Sequence, residues 1–224
     1  SPNIIKVIRQ GSSIKNTKIA PIYYSDIIAQ FLSETSDEKI EFTANNIEYE
    51  FSSGKKGLYD FTFKEESGRL VGIMGGSGSG KSTLLNVLNG NYPPSSGEIK
   101  INGIGLYESP KLLEGVIGFV PQDDLLIEEL SVFENLYYNG KLCFGNYEDD
   151  KLVELVNEVL VSIGLFEAKD LKVGNPLSKT ISGGQRKRLN IALELIREPS
   201  ILFVDEPTSG LSSNDSEIIM DLLK

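Results

Sequence analysis

The clearest pattern in the first half of the chain is an alternation of apolar and polar residues. It occupies residues 40–51 and 59–63, with a polar turn at residues 52–57 between them. Alternation with a period of two is expected where one face of a strand is buried and the other is solvated. We therefore predict two antiparallel strands, which lead into a third, wholly apolar strand at residues 70–74.

Three further short segments have the composition of strands and end at turn-forming residues. They occupy residues 98–101, 116–120 and 201–204. The last of them contains no polar residue. A strand that is buried on both faces has this composition, so we predict that residues 201–204 form a central, parallel strand.

Helical periodicity fills most of the chain between the last two strands. Ser131 can cap one helix, residues 152–163 keep apolar positions at i, i+3, i+4 and i+7, and another helix follows Ser182 and ends near Pro199. The pattern as a whole predicts an α/β fold with a parallel core, an antiparallel β subdomain and a helical subdomain at about residues 123–179.

Residues 1–39 differ in composition from the rest of the chain. The first 21 residues are polar and basic with scattered isoleucines, and Ser25 can cap a short helix with an apolar face that reaches residue 32. A polar stretch follows at residues 33–39. This part is either an N-terminal extension or linker to another domain, or an extension that packs on the main domain at residues 40–224.

Composition excludes several classes of function. The chain has 224 residues, a formal net charge of -10, no histidine and one cysteine, Cys143. The acidic balance disfavours sequence-independent binding to nucleic acid, and the missing histidines exclude histidine bases and Cys/His metal sites. No apolar run approaches the roughly 18 residues that span a bilayer.

A phosphate-binding loop follows the apolar run at residues 70–74 and precedes a helix-like segment. Its glycines let the backbone curl so that N–H groups surround a phosphate, at the positive end of the helix dipole. Lys81 can reach the β- and γ-phosphates, and the hydroxyl of Ser82 can ligate Mg²⁺. The motif GxxxxGK[ST] is complete in Gly75, Gly76, Ser77, Gly78, Ser79, Gly80, Lys81, Ser82 and Thr83.

A pair of carboxylates ends the apolar strand at residues 201–204. Asp205 is the first residue after that strand, where a carboxylate can hold Mg²⁺ directly or through water. Glu206 comes next and can orient or deprotonate a water that attacks the γ-phosphate. Together with the phosphate loop, in this chain order, the pair predicts nucleotide hydrolysis.

Residues 40–224 resemble the ATP-binding cassette (ABC) ATPases. Gln122, after an apolar strand, is similar to the glutamine of their Q-loop. Residues 205–211 and the basic residues 186–188 resemble the G subfamily, the white-type half-transporters, and its bacterial relatives. The most specific feature is similar to the family's LSGGQ signature and consists of Ile181, Ser182, Gly183, Gly184 and Gln185.

This resemblance implies ATP and Mg²⁺ as cofactors. The phosphate loop and Lys81 would bind ATP, and Ser82, Gln122 and Asp205 would organise Mg²⁺, while Lys81, Gln122 and Glu206 would act in catalysis. Phe51 resembles the aromatic residue that stacks on adenine, with Tyr49 as the alternative.

The resemblance also implies partners. Residues Ser182, Gly183, Gly184 and Gln185 would meet the γ-phosphate held by a second ATPase domain, so two domains would pair head to tail around two ATP molecules, as a homodimer or pseudo-dimer. A transmembrane domain, possibly on the same polypeptide, would be the transport partner. This places the chain at the cytoplasmic face of a membrane, with no nucleic acid partner.

Two charged stretches keep more than one interpretation. The triplet at residues 186–188 fits a solvated helix face, a contact with a partner's acidic surface, or a contact with phosphates across the interface. Asp123 and Asp124 fit an exposed turn, in the loop that faces the transmembrane partner in the family.

Two departures from the family pattern lead to further expectations. Ser212 stands where the family's loop usually carries aspartate, which puts one dimer contact in doubt. The chain ends soon after Asp205 without the family's switch histidine, so we expect a fragment that lacks its C-terminal strands and hydrolyses ATP weakly or not at all.

The alternative to a transporter ATPase is a non-transport ATPase of this fold that acts on DNA or the ribosome.

Overall fold

A computed structural model describes residues 13–16, 19–23, 40–144, 147–175 and 180–224 of the chain. The chain folds as two compact units, and each unit is built from segments that are not continuous in the sequence. Among the described residues, the first unit contains residues 13–16, 19–23, 123–144, 147–175, 180–198 and 207–222, and the second contains residues 40–122, 199–206 and 223–224.

The second unit is built on an antiparallel sheet. In order across the sheet, its strands are β4 (Lys56–Glu66), β3 (Glu41–Glu50), β5 (Ser96–Ile101) and β6 (Ile104–Gly105). Its inward residues form a small core around Ala44, Ile47 and Ile99, which are almost completely buried. The two antiparallel strands that alternation predicts are confirmed as β3 and β4.

One helix and two strands of the second unit carry or precede the residues of the predicted nucleotide site. Helix α1 (Lys81–Leu88) begins directly after the phosphate loop and buries Leu85, Val87 and Leu88. Strands β7 (Ile117–Val120) and β8 (Ile201–Val204) form a parallel pair, which confirms the parallel direction predicted for β8.

The central position predicted for β8 is not observed. Among the described strands β8 pairs with β7 alone, and its four residues are half-buried. An apolar sequence can favour burial, but only a neighbouring strand on each side makes a strand central.

The strand predicted at residues 70–74 is also wrong for this structure. The described residues provide no strand that pairs with this run, and its apolar side chains are exposed, with Met74 at 94%. A strand is stabilised by a ladder of hydrogen bonds to a neighbour, which an apolar run cannot supply by itself.

The first unit is mainly helical. Its core is formed by apolar residues from three of its helices and from the segments between them, including Leu136, Leu152, Leu160 and Leu189. The unit contains the hairpin β1 (Ser13–Asn16) and β2 (Ile19–Tyr23), and the helices α2 (Val132–Cys143), α3 (Asp149–Ser162), α4 (Gly183–Leu195) and α5 (Ser213–Leu222).

Capping boxes begin two of these helices at the predicted residues. Ser131 accepts a hydrogen bond from the N–H of Glu134, and the Glu134 carboxylate accepts one from the N–H of Ser131. Ser182 and Gln185 exchange the same two bonds at the start of α4. Both predicted helix starts are therefore confirmed, because each cap satisfies backbone donors that a helix leaves unpaired.

The N-terminal part of the chain differs from its prediction. The hairpin β1–β2 was not expected, because residues 13–23 lack a clear alternation. The helix predicted from Ser25 to residue 32 lies outside the described residues.

Throughout the described ranges, every helix is too short or too polar to cross a lipid bilayer.

Candidate nucleotide-binding site

The phosphate loop closes around the side chain of its own lysine. Lys81 Nζ donates hydrogen bonds to the carbonyl oxygens of Gly75, at 2.8 Å, and Gly76, at 3.0 Å. Gly78 and Gly80 have positive φ angles of 75° and 93°, which only glycine adopts readily. The loop therefore holds the ammonium group next to the start of α1.

The hydroxyl groups of the loop lie at its outer surface. Ser77, Ser79 and Ser82 are exposed, and Thr83 is half-buried in the first turn of α1. Because α1 begins at Lys81, the first backbone N–H groups of this helix have no helical partner and point toward the loop. Together the N–H groups, the ammonium and the hydroxyls form a set of donors suited to phosphate oxygens.

Phe51, the residue predicted to stack on adenine, contacts Gly57, and Gly57 in turn lies next to the phosphate loop. Phe51 follows β3 and packs edge-to-face on Tyr49, with ring centroids 5.1 Å apart. A Cβ built on Gly57 would lie 2.7 Å from Phe51 Cε2. The carbonyl oxygen of Gly57 in turn lies 3.3 Å from the position of a Cβ on Gly80. Phe51 is thus joined to the phosphate loop through the backbone of β4.

The ends of β7 and β8 bring together residues that are far apart in sequence. Val120 pairs with Val204, so both strands end at the same edge. The N–H of Asp205 extends the ladder by donating to the carbonyl of Val120 at 2.9 Å. One residue further on, Gln122 Nε2 donates to Glu206 Oε2 at 3.2 Å. The predicted Q-loop glutamine and catalytic carboxylate are therefore in direct contact.

The two carboxylates at this edge have different surroundings. Asp205 is 6% exposed, whereas Glu206 is half-buried. Glu206 has a φ angle of 44°, in the left-handed region that a residue with a Cβ occupies at a cost of about 1–2 kcal/mol. Such strain is found where the surrounding structure directs a side chain, here toward Gln122.

The signature residues belong to the first unit and begin α4. Ser182 and Gly183 are exposed, while Gly184 is buried. A Cβ on Gly184 would lie 2.2 Å from Asp215 Oδ1, so glycine is required there by the approach of α5. Sequence reasoning assigned Gly184 only to a ligand, since the contact with Asp215 depends on the packing of two helices.

One interpretation of residues 186–188 was a solvated helix face, and it is wrong for Arg186 and Arg188. Arg186 and Arg188 are buried, at 6% and 9% exposure. Arg186 pairs with Asp124 through two hydrogen bonds, and Arg188 Nη1 lies 3.8 Å from Asp215 Oδ1. Asp124 is therefore an ion-pair partner within the unit, not part of a freely exposed turn.

Comparison with known proteins agrees with these motifs. The family model described as ABC transporter matches residues 58–209. The ABC-type transporter claG of Penicillium crustosum is 38% identical over 191 residues, 81% of this chain and 25% of that protein. ABC transporter G family member 28 of Arabidopsis thaliana is 41% identical over 166 residues, 73% of this chain and 15% of that protein.

A solved structure supports the fold. The chain is similar to cbiO1 from Clostridium perfringens, part of the ABC transporter complex cbiONQ, with a TM-score of 0.72 and 31% identity. The match covers 83% of this chain and 73% of that one, and it confirms the predicted ABC-type ATPase fold.

The chain spans a quarter or less of the length of the two curated relatives named above. Within that share it carries the phosphate loop, the Gln122–Glu206 contact and the signature at the start of α4. The chain therefore belongs to the ABC transporter family, and it is similar to members of the G subfamily of that family.

Proposed function

We propose that this domain powers transport through a membrane domain by pairing head to tail with a second ATPase domain. The observation that carries the proposal is the contact between Gln122 and Glu206 at the shared edge of β7 and β8. A carboxylate at that edge can hold the attacking water, and an amide that donates to it limits where the carboxylate points.

ATP would bind in the second unit. Phe51 would stack on the adenine ring, the donors of the phosphate loop would hold the phosphates, and Lys81 would exchange its contacts with Gly75 and Gly76 for phosphate oxygens. The exposed positions of Ser77 and Ser79 support this arrangement, since a ligand can reach the loop from solvent.

The residues proposed for Mg²⁺ fit the preferences of that ion. Mg²⁺ favours oxygen ligands and keeps several waters. Ser82, Gln122 and Asp205 each offer an oxygen, and a bound Mg²⁺ would neutralise charge on the phosphates. The described residues contain no group of three or more His, Cys, Asp or Glu that could hold a metal ion. Phosphate oxygens and water would therefore complete the coordination.

The exposed N-terminus of α4 supports pairing with another domain. Ser182 and Gly183 are exposed at a helix start, and Gln185 closes the capping box behind them. The dipole of α4 favours an anion there, which we assign to the γ-phosphate held by the second domain. Gly184 would contribute through its backbone N–H. Hydrolysis would remove the anion and separate the pair.

A membrane partner is supported by an exposed apolar pair after Gln122. Leu125 and Ile127 are 66% and 52% exposed, in the loop that faces the transmembrane domain on the family resemblance. Apolar side chains exposed close together are a common feature of protein interfaces. We place the domain at the cytoplasmic face of a membrane on this basis.

The test is the Glu206→Gln variant, which keeps the size of the side chain but removes its charge. ATP turnover should fall by about 10²–10⁴-fold, while ATP affinity stays within about twofold. Light scattering with ATP present should then find more paired domains, because the anion that joins them persists.

The matched control is Glu198→Gln. Glu198 is also a glutamate with a positive φ, 50°, but it is exposed at a turn. Its substitution should leave turnover unchanged. Equal turnover in the Glu206→Gln variant and the unchanged protein would refute the role of Glu206.

A further inference from the structure

Three aromatic rings of the second unit form a continuous cluster that includes the ring proposed to stack on adenine. Phe51 packs edge-to-face on Tyr49, with ring centroids 5.1 Å apart. Tyr49 in turn stacks on Tyr92, with centroids 5.6 Å apart and an angle of 14° between the ring planes. Tyr92 lies between α1 and β5, so the cluster joins β3 to the segment that follows the helix of the phosphate loop.

The cluster limits the orientation of the Phe51 ring. Phe51 is half-buried, so its ring keeps an accessible area that a base can cover. The contact of its buried part with Tyr49 decides where that area faces, because aromatic pairs favour a small set of mutual angles. Tyr92 covers one face of Tyr49 and restricts the tilt of that ring, since tilting would drive it into the stacked neighbour. The position of Tyr92 therefore affects the ring proposed to meet adenine.

The hydroxyl group of Tyr107 holds the backbone of Tyr92 against the end of α1. Its oxygen lies 2.6 Å from the carbonyl oxygen of Tyr92 and 2.8 Å from that of Val87, and its single proton can be donated to either acceptor. Val87 is in the last turn of α1, where carbonyl groups lack a helical N–H partner. The N–H of Tyr92 donates to the carbonyl of Asn86 at 2.9 Å. Tyr92 is therefore attached to the last turn of α1 through both of its backbone polar groups.

The residues after Tyr92 supply few backbone donors of their own. Two prolines follow at residues 93–94, and a proline nitrogen carries no proton. The next backbone donor is the N–H of Ser95, which donates to the carbonyl of Glu48 on β3 at 2.7 Å. The hydroxyl of Tyr107 comes from outside this segment and supplies the donor that the prolines cannot provide.

We propose that Tyr107 is a positioning residue for the base of ATP. It acts on the ring of Phe51 through the stacked pair of Tyr49 and Tyr92. The inference rests on the proposed ATP site, in which Phe51 meets the adenine ring. Without the hydroxyl, the segment that carries Tyr92 can move away from α1, and the Phe51 ring can turn from the orientation that suits the base. The phosphate loop keeps its own contacts at the other end of α1, so the binding of phosphates does not depend on this hydroxyl.

The Tyr107→Phe variant tests this role, because it removes only the hydroxyl group. Calorimetry measures the affinities for ATP and for inorganic tripolyphosphate, each with Mg²⁺. The dissociation constant for ATP should rise about threefold or more, because stacking contributes only to binding of the base, while that for tripolyphosphate stays within about 1.5-fold. A general effect on the fold would weaken both ligands alike. The matched control is Tyr59→Phe on β4, where Tyr59 is 72% exposed, and it should leave both dissociation constants unchanged.

A second variant provides the same test without removing a hydrogen bond. Tyr92→Leu removes the ring but keeps the carbonyl that Tyr107 holds, and it should also weaken ATP selectively. In a Phe51→Ala background neither substitution should cause a further loss of ATP affinity.

Three results would overturn the role of Tyr107: equal weakening of both ligands, unchanged ATP affinity in either variant, or a full further loss in the Phe51→Ala background. An unchanged chain that binds neither ATP nor tripolyphosphate overturns the proposed ATP site itself, and the inference with it.

Discussion

Gly57 should control the position of the aromatic ring proposed to stack on adenine. A Cβ at Gly57 would lie 2.7 Å from Cε2 and 3.2 Å from Cζ of Phe51, and 3.0 Å from Cδ1 of Tyr49. Carbon atoms in contact are normally about 3.5–4.0 Å apart, so in Gly57→Ala the Phe51 ring must retreat by about 1 Å. The φ angle of Gly57 is outside the left-handed region, so the contact is the main cost.

The expected effect on ATP binding follows from the energy of stacking. A base stacked on an aromatic ring is worth about 1–3 kcal/mol. A displacement of about 1 Å should remove roughly half of this energy, about 0.5–1.5 kcal/mol, so the dissociation constant for ATP should rise about 2- to 12-fold. Anisotropy of a fluorescent ATP measures this change directly, and thermal unfolding establishes that the variant is folded.

Two controls separate ring displacement from a general effect of an added methyl group. Gly72→Ala is the matched substitution, because no heavy atom of the described residues lies within 4 Å of its Cβ position. It should leave ATP affinity unchanged. In a Phe51→Ala background, Gly57→Ala should add no further loss. A full additional loss there would refute the role of Phe51 and favour Tyr49, and unchanged affinity in the Gly57→Ala single variant would refute the reasoning itself.

The remaining predictions concern stability. Gly97→Ala should cost about 3 kcal/mol or more in the free energy of unfolding by urea, because its φ is 85° and its Cβ would lie 2.4 Å from the carbonyl oxygen of Asn46. Gly103→Ala, with φ of 76° and no described heavy atom within 4 Å, should cost only about 1–2 kcal/mol, and equal costs would contradict the clash. Burial raises the pKa of Tyr107 to about 12 from about 10, so its contribution to stability is complete below about pH 10 and is lost as the pH rises toward about 12. Urea unfolding at about pH 9 and about pH 11 should therefore show a steeper loss for the unchanged chain than for Tyr107→Phe, and parallel losses would contradict the assignment.

Features that depend on a few neighbouring residues could be predicted from the sequence. The capping boxes at Ser131 and Ser182 each need a partner only three residues away. The phosphate loop at residues 75–83 needs glycines at fixed spacing before a helix, and the structure has that helix from Lys81. The alternation that defines β3 and β4 likewise follows from the geometry of a single strand. For these elements the local backbone preference and the fold agree.

The tertiary structure decided which polar groups are buried and which apolar groups are not. Arg186 and Asp124 are 62 positions apart, and no local pattern distinguishes a buried arginine from a solvated one. The apolar run at residues 70–74 has the composition of a strand, yet no described strand pairs with it. The Phe51 ring makes Gly57 necessary only because the chain turns back on itself between β3 and β4. Burial, pairing and close approach all depend on partners that are distant along the chain, so the sequence alone determines the motifs and the tertiary contacts determine how they are connected.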